Sequence, residues 1–375
     1  MTKCAELANL IGNINAGGGG TNRNVIINGA MNVFQRGTSE TGIGGSEIYV
    51  ADRFKVIPSG TAGRLTLTQD SSAPSGFANS LKLDCTTADT SVASGEVLIL
   101  AQRIEGQNLQ AFAKGTSDAK PFAVSFYVKG NASATYVVEL YDTDNARQVS
   151  KSFTVGTDWS RVELSFPADT TGAFDDDNAS SLEMFIWLHA GSNFTSGTLS
   201  ETWSSVTNAN RAVGISSFFD STDRTFFITG LQLEVGQNPT SFEHQKFSQT
   251  LQQCQRYFHT VSGAGHPFPV DSVYSRYITH AQTGNYQVWF HEYPVEMRAT
   301  PTLTSDNITT STVQFFNYNT QTNISNNLTG TSLSNSGKRH GHIVFSFSSG
   351  SSHADQVSWR WNNNPDASFE FNAEL

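Results

Sequence analysis

Charge is scarce in this chain of 375 residues, where Asp, Glu, Lys and Arg together make up 15%. An average soluble protein carries roughly 25%. The formal net charge is −10, and small basic pairs such as Lys338-Arg339 cannot build the positive field that phosphate binding requires. A nucleic-acid partner is therefore not expected. Long apolar runs are also missing, so neither a membrane span nor a signal-peptide core is read, and no membrane partner is expected. Synthesis and assembly in a cytoplasm follow as expectations. The cysteines are only Cys4, Cys85 and Cys254. That odd, widely spaced set forms no zinc or redox motif and is expected to stay reduced. With no secretory route, sequons such as those at Asn193 and Asn327 are what chance gives. The sequence holds no Gly-x-Ser-x-Gly elbow, no His-Glu-x-x-His, no phosphate-binding loop and no dinucleotide fingerprint. It also lacks the long repetitive body of a β-helix. An enzyme, a cofactor and a metal centre are accordingly not expected.

What is present points to β structure. There are 26 Phe and 31 Gly against 4 Met, and Ser, Thr and Asn recur throughout. Aromatic and β-branched residues suit a pleated, half-buried surface, while Gly, Asn and Ser supply turns. The length suits two domains.

Cys4, Leu7, Ala8 and Ile11 recur at helical spacing and predict a short helix over 2–14 with one apolar stripe. The glycine run 17–20 after it reads as a flexible tether. Residues 1–22 are thus expected to anchor the protein, or else to fold back on the next domain. From 23 to 242 the pattern is of strands: 23–29, 54–57, 64–69, 80–85, 95–103, 122–128, 135–141, 148–155, 161–166, 183–189, 211–219 and 225–235. Turn signals every ten residues or so, without helical crossovers, imply an antiparallel sandwich or barrel. A connector helix is expected over 243–259, with Phe247, Leu251, Cys254 and Phe258 on one face. Strands at 274–280, 284–293, 313–316, 341–348, 356–361 and 368–372 predict a second, smaller sandwich over 260–375.

Several ordered segments carry a resemblance. Asn24-Val25-Ile26-Ile27-Asn28-Gly29-Ala30-Met31-Asn32-Val33-Phe34-Gln35-Arg36-Gly37 and Tyr49-Val50-Ala51-Asp52-Arg53-Phe54 open it. Ile228 to Gly236, Thr240-Ser241-Phe242-Glu243 and Cys254-Gln255-Arg256-Tyr257-Phe258 continue it. Pro294 to Pro301 and the final Phe371 to Leu375 close it. Together these segments resemble a group of bacteriophage tail-fibre and virion-associated proteins with a carbohydrate-binding-module-like jelly roll. The resemblance implies an all-β virion component, a homotrimer joined to other virion proteins through its N-terminus and directed at host-surface polysaccharide. Two alternatives from other classes are a capsid-decorating, knob-like head protein and a glycan-degrading tail enzyme. The jelly rolls of this group often hold a calcium ion through an acid in the closing strand; Thr229-Gly230 stands there instead, so that site is not carried over.

The residues also have readings of their own. Asn28-Gly29 suits a positive-φ turn, and Asp52-Arg53 a local ion pair with Phe54 turned inward. Asp142-Thr143-Asp144-Asn145 and Asp175-Asp176-Asp177-Asn178 are read as solvated turns rather than calcium loops. His340-Gly341-His342 is read as an exposed or hydrogen-bonded pair, with metal ligation the lesser reading. Trp359 and Trp361 are read as core with Val357. Sugar binding needs an exposed ring beside polar groups. Trp289, His291 and Tyr293 share one face of a strand and are the candidate ligand-binding residues.

Overall fold

The computed structural model describes residues 3–4, 7–8, 11, 22–262, 286–306, 308–309, 313–317, 322–324, 328–347, 357–361 and 368–375. The chain divides into two compact units, Met1–Leu251 with Leu375, and Gln252–Glu374. It is an all-β protein with few helices.

In the first unit the strands are β1 (Ser39–Ile43), β2 (Ile48–Tyr49), β3 (Lys55–Ser59), β4 (Arg64–Asp70), β5 (Ser80–Thr87), β6 (Val97–Glu105) and β7 (Phe122–Gly130). They continue as β8 (Ala134–Asp142), β9 (Arg147–Val155), β10 (Ser160–Phe166), β11 (Ser180–Ala190), β12 (Ser204–Ser205) and β13 (Thr225–Val235). Two antiparallel sheets form, ordered β1-β4-β5-β13-β7-β10 and β12-β9-β8-β11-β6-β3-β2. Their facing sides make one core, a jelly-roll-type sandwich. Leu182, Met184, Ile186 and Leu188 of β11 meet Phe122, Val124, Phe126 and Val128 of β7 in it.

Strand periodicity places alternate residues inward, yet β13 sends Phe226 and Ile228 inward and then Leu231, Leu233 and Val235. The change of parity is made by a bulge between Thr229 and Gln232, where Gly230 sits at φ +65°. An extra residue at a bulge resets which side chains face the core. A bulge between Trp187 and His189 in β11 does likewise.

Three sequence expectations need correction here. Residues 23–29 are not a strand. Asn24 bridges to β13 through Leu231 and Leu233, and the Glu243 carboxylate accepts the N–H groups of Asn22, Arg23 and Asn24. These side-chain bonds satisfy the backbone that a ladder would otherwise pair. Residues 211–219 are not a strand either. Gly214 takes φ +83°, and the Ser217 hydroxyl accepts the Phe219 N–H to cap a 3-10 turn over Phe218–Asp220. The connector helix, α1, spans only Phe247–Gln255. Cys254 is buried on it, Phe247 is exposed, and Phe258 lies beyond its end in a strand.

The second unit holds β14 (Phe258–Ser262), β15 (Tyr286–Glu292), β16 (Thr302–Asp306), β17 (Val313–Asn317), β18 (Thr322–Ile324), β19 (Leu328–Ser334), β20 (His340–Phe347), β21 (Val357–Trp361) and β22 (Ser368–Asn372). Its sheets are β14-β22-β16, β15-β20-β19 and β18-β17-β21, all antiparallel in pairing. Ile343, Phe345, Phe369, Phe371 and Met297 are fully buried and centre its core. The expected strand 274–280 and the glycine run 17–20 lie outside the described residues, as do the surroundings of Trp359 and Trp361.

Candidate functional site

The opening segment around Asn28 is a scaffold. Asn28 adopts φ +61°, and its amide donates to the carbonyls of Val33 and Asp52 while its oxygen accepts from Asn32 and Val33. Gly29 is needed for space rather than for its φ. A Cβ there would stand 2.1 Å from the Leu231 carbonyl oxygen. Phe54 is buried as expected. Asp52 lies 3.7 Å from Arg36 and accepts from Gln35, whereas Arg53 donates to the Arg103 carbonyl. The shallow polar cavity beside this turn is lined by Asn24, Asn28, Asn32, Phe242 and Glu243 and measures about 30 Å³. That volume admits water and is far too small for a sugar ring.

The outer face of the seven-stranded sheet carries a second set of aromatic and charged side chains. Register places Gln148, Tyr141, Glu183 and Arg103 in one cross-strand row, and Ser150, Glu139, Phe185 and Ala101 in the next. The chain covers this face with its own segment. Phe194 lies 5.2 Å from the Trp187 ring. The Arg211 guanidinium stands 5.0 Å from Tyr141, 5.1 Å from Trp187 and 5.5 Å from Phe185. Burial pushes the Glu139 carboxyl upward in pKa, against the Arg211 charge and its hydrogen bonds. Glu183 is raised by burial too, opposed by Arg103. The aromatic surface is thus already occupied.

In the second unit the strand singled out from sequence does carry an aromatic platform, but on its other face. Trp289 and Tyr293 are each 7% exposed and belong to the core. His291 stacks on Phe371, 4.9 Å between centroids, and its Nε2 lies 3.2 Å from Nε2 of His259. Burial depresses His259 to about 4 and His291 to about 3. The expected surface role of Trp289, His291 and Tyr293 is therefore corrected: Phe369 and Phe371 pack on that face, burying Trp289 and Tyr293 and half-burying His291.

The outward neighbour is Phe290, 40% exposed. It pairs across strands with His342, and His342 with Ser334. Glu292 pairs with His340, and Val288 with Val344. The Phe290 ring lies 5.3 Å from the His340 ring and 5.6 Å from His342. This ring is set among imidazoles, a carboxylate and a hydroxyl, a flat apolar face beside directional polar groups. Two pieces of the sequence pointed here, the aromatic run and His340-Gly341-His342. Register alone brings them together. Among the described residues, no group of three His, Cys, Asp or Glu side chains is arranged to hold a metal ion.

Of the N-terminal residues, Cys4, Leu7, Ala8 and Ile11 are helical and exposed, Leu7 at 57% and Ile11 at 50%. None of the three cysteines forms a disulfide, and Cys85 and Cys254 are buried. Burial pushes the Cys85 thiol up to about 11.

No protein-family model matches this chain, and no curated protein matches it. Solved structures do. A bacteriophage CBA120 tailspike protein 4 enzymatically active domain is 12% identical with TM-score 0.28, over 56% of this chain and 21% of that one. A carbohydrate-binding module, TmCBM61 in complex with β-1,4-galactotriose, is 10% identical with TM-score 0.28, over 57% and 99%. A family 11 carbohydrate-binding module of a Clostridium thermocellum cellulosomal cellulase is 12% identical with TM-score 0.27, over 54% and 98%. The chain thus spans about a fifth of the tailspike.

Proposed function

We propose that this chain is a non-enzymatic structural component of a bacteriophage virion, a tail fibre or appendage that attaches to glycans on the host surface. The observation that carries the glycan reading is the exposed Phe290 ring flanked by His340, His342 and Glu292. A pyranose stacks its C–H face on such a ring and bonds its hydroxyls to the flanking groups. The phage reading rests on the resemblance of the Asn24–Gly37, Ile228–Gly236 and Cys254–Phe258 segments. In this reading the helix bearing Cys4, Leu7, Ala8 and Ile11 anchors the protein in the virion, where it assembles as a homotrimer, and its exposed apolar stripe supports that role. Residues 23–242 then form the jelly-roll sandwich, 243–259 the connector and 260–375 the glycan-binding sandwich.

The test is binding of the recombinant chain to polysaccharide extracted from the host envelope, with competition against virion adsorption. Saturable binding that Phe290→Ala weakens about tenfold or more, with Val92→Ala, a change at an exposed apolar residue of the first unit, unaffected, is the expected result. No binding and no competition at saturating protein would overturn the reading.

A further inference from the structure

The outward face of the sheet β15-β20-β19 changes character along its strands. Val288, Phe290 and Glu292 alternate with the buried Trp289 and the half-buried His291, so they stand on one side of β15. Register lays rows across that side. Glu292 faces His340; Phe290 faces His342, with Ser334 beyond; Val288 faces Val344, with Ser332 beyond. Neighbouring rows are about 6.5–7 Å apart, two residues along a strand. Ionisable groups therefore border the Phe290 ring on one side and a pair of valines on the other.

The valines are not part of the core of this unit. Ile343 and Phe345, their neighbours on β20, point the other way and fill it. Val288 and Val344 are each half-buried, so part of each still meets solvent. Threonine would serve a strand as well at these positions, but here the row is aliphatic.

A sugar lying on Phe290 thus meets unequal surroundings. Its ring hydroxyls find partners toward His342, His340, Glu292 and Ser334. A substituent directed over Val288 and Val344 finds apolar surface, with the Ser332 hydroxyl only at the far edge. A primary alcohol or a carboxylate placed there gives up water without a full set of partners, which costs free energy. A methyl group placed there gains by leaving water. In a hexose, the substituent that can be any of these three is the one at C6.

We propose, on the glycan reading of this face, that the saccharide it takes is a 6-deoxyhexose, stacked on Phe290 with its C6 methyl over Val288 and Val344. Hexoses with a C6 hydroxyl, and uronic acids, are the classes it disfavours.

The experiment uses the full-length chain bound to host-envelope polysaccharide, with free sugars as competitors. L-Rhamnose is set against L-mannose and L-fucose against L-galactose, each pair differing only at C6. In at least one pair the 6-deoxy sugar is expected to inhibit about fourfold more strongly or better, the gain from one buried methyl-sized group. Val288→Thr and Val344→Thr keep the branched shape and the strand preference while adding a hydroxyl. Each is expected to bring that ratio toward one, with polysaccharide binding retained. Equal inhibition within both pairs, or none by any sugar, while the polysaccharide still binds overturns the 6-deoxy assignment and leaves glycan binding standing. Inhibition by N-acetyl-D-glucosamine where neither deoxy sugar inhibits overturns it in favour of an acetamido methyl. A preference unchanged in both threonine variants overturns the placement over the valines. No binding to polysaccharide at all overturns the glycan reading and this proposal together.

Discussion

Arg211 Nε lies 2.9 and 3.1 Å from the two carboxylate oxygens of Glu139, joining a loop to the middle of a strand across the outer face of the seven-stranded sheet. Trp187 Nε1 completes the set by donating to the same carboxylate at 2.7 Å. Glu139 is fully buried, so its charge depends on these partners.

Arg211→Ala removes the counter-charge and is expected to destabilise the first unit by about 3–5 kcal/mol, the usual cost of breaking a buried pair. The sign of its pH dependence follows from Glu139, whose folded pKa is raised by burial. The folded state binds the proton more readily, so this contribution is fully present below the unfolded carboxylate value and lost as pH rises through the folded one. Losing Arg211 raises the folded pKa further. Denaturant unfolding should therefore show the largest defect at neutral pH and a smaller one on acidification. An equal defect at all pH would contradict the assignment.

His259 and His291 act in the opposite direction. Their folded pKa values, about 4 and about 3, lie below the 6.5 of an exposed imidazole. The stability they support is present above 6.5 and falls as pH drops from there toward 3, with a ceiling of about 1.4 kcal/mol per pH unit for each ring. Second-unit unfolding, followed across that range, should be less acid-sensitive in a His259→Phe/His291→Phe variant. Identical acid profiles would show that the pair is not the sensor.

Gly29→Ala is expected to cost about 2 kcal/mol or more, because its Cβ would strike the Leu231 backbone oxygen, which has no side-chain torsion by which to yield. Thermal melting measures it. Asn28→Gly, which keeps the positive φ but loses the Asn28 amide bonds, separates hydrogen bonding from conformation.

Removal of residues 1–20 is expected to leave both sandwiches folded, as read by circular dichroism, while abolishing incorporation into virions. Normal incorporation of the truncated chain would refute an anchoring helix.

The alternation of apolar and polar residues determined most strands of the first unit, since a half-buried ladder demands period two. It could not determine edge segments such as Ser39–Ile43, which bury almost nothing, nor tell that 211–219 would be pinned as a cover by Arg211 and turned at Gly214. In β15 the same alternation offered two aromatic faces. Trp289, His291 and Tyr293 stand on one and Phe290 on the other, and a period of two says nothing about which faces solvent. Packing of Phe369 and Phe371 decided it. The spacing of the Asp residues likewise suggests a solvated turn at Asp142, which is buried instead. Only the tertiary structure brought Lys114, 28 residues away in sequence, into contact with it. Local pattern sets which side chains share a face; long-range packing decides which face is buried and which charges must meet there.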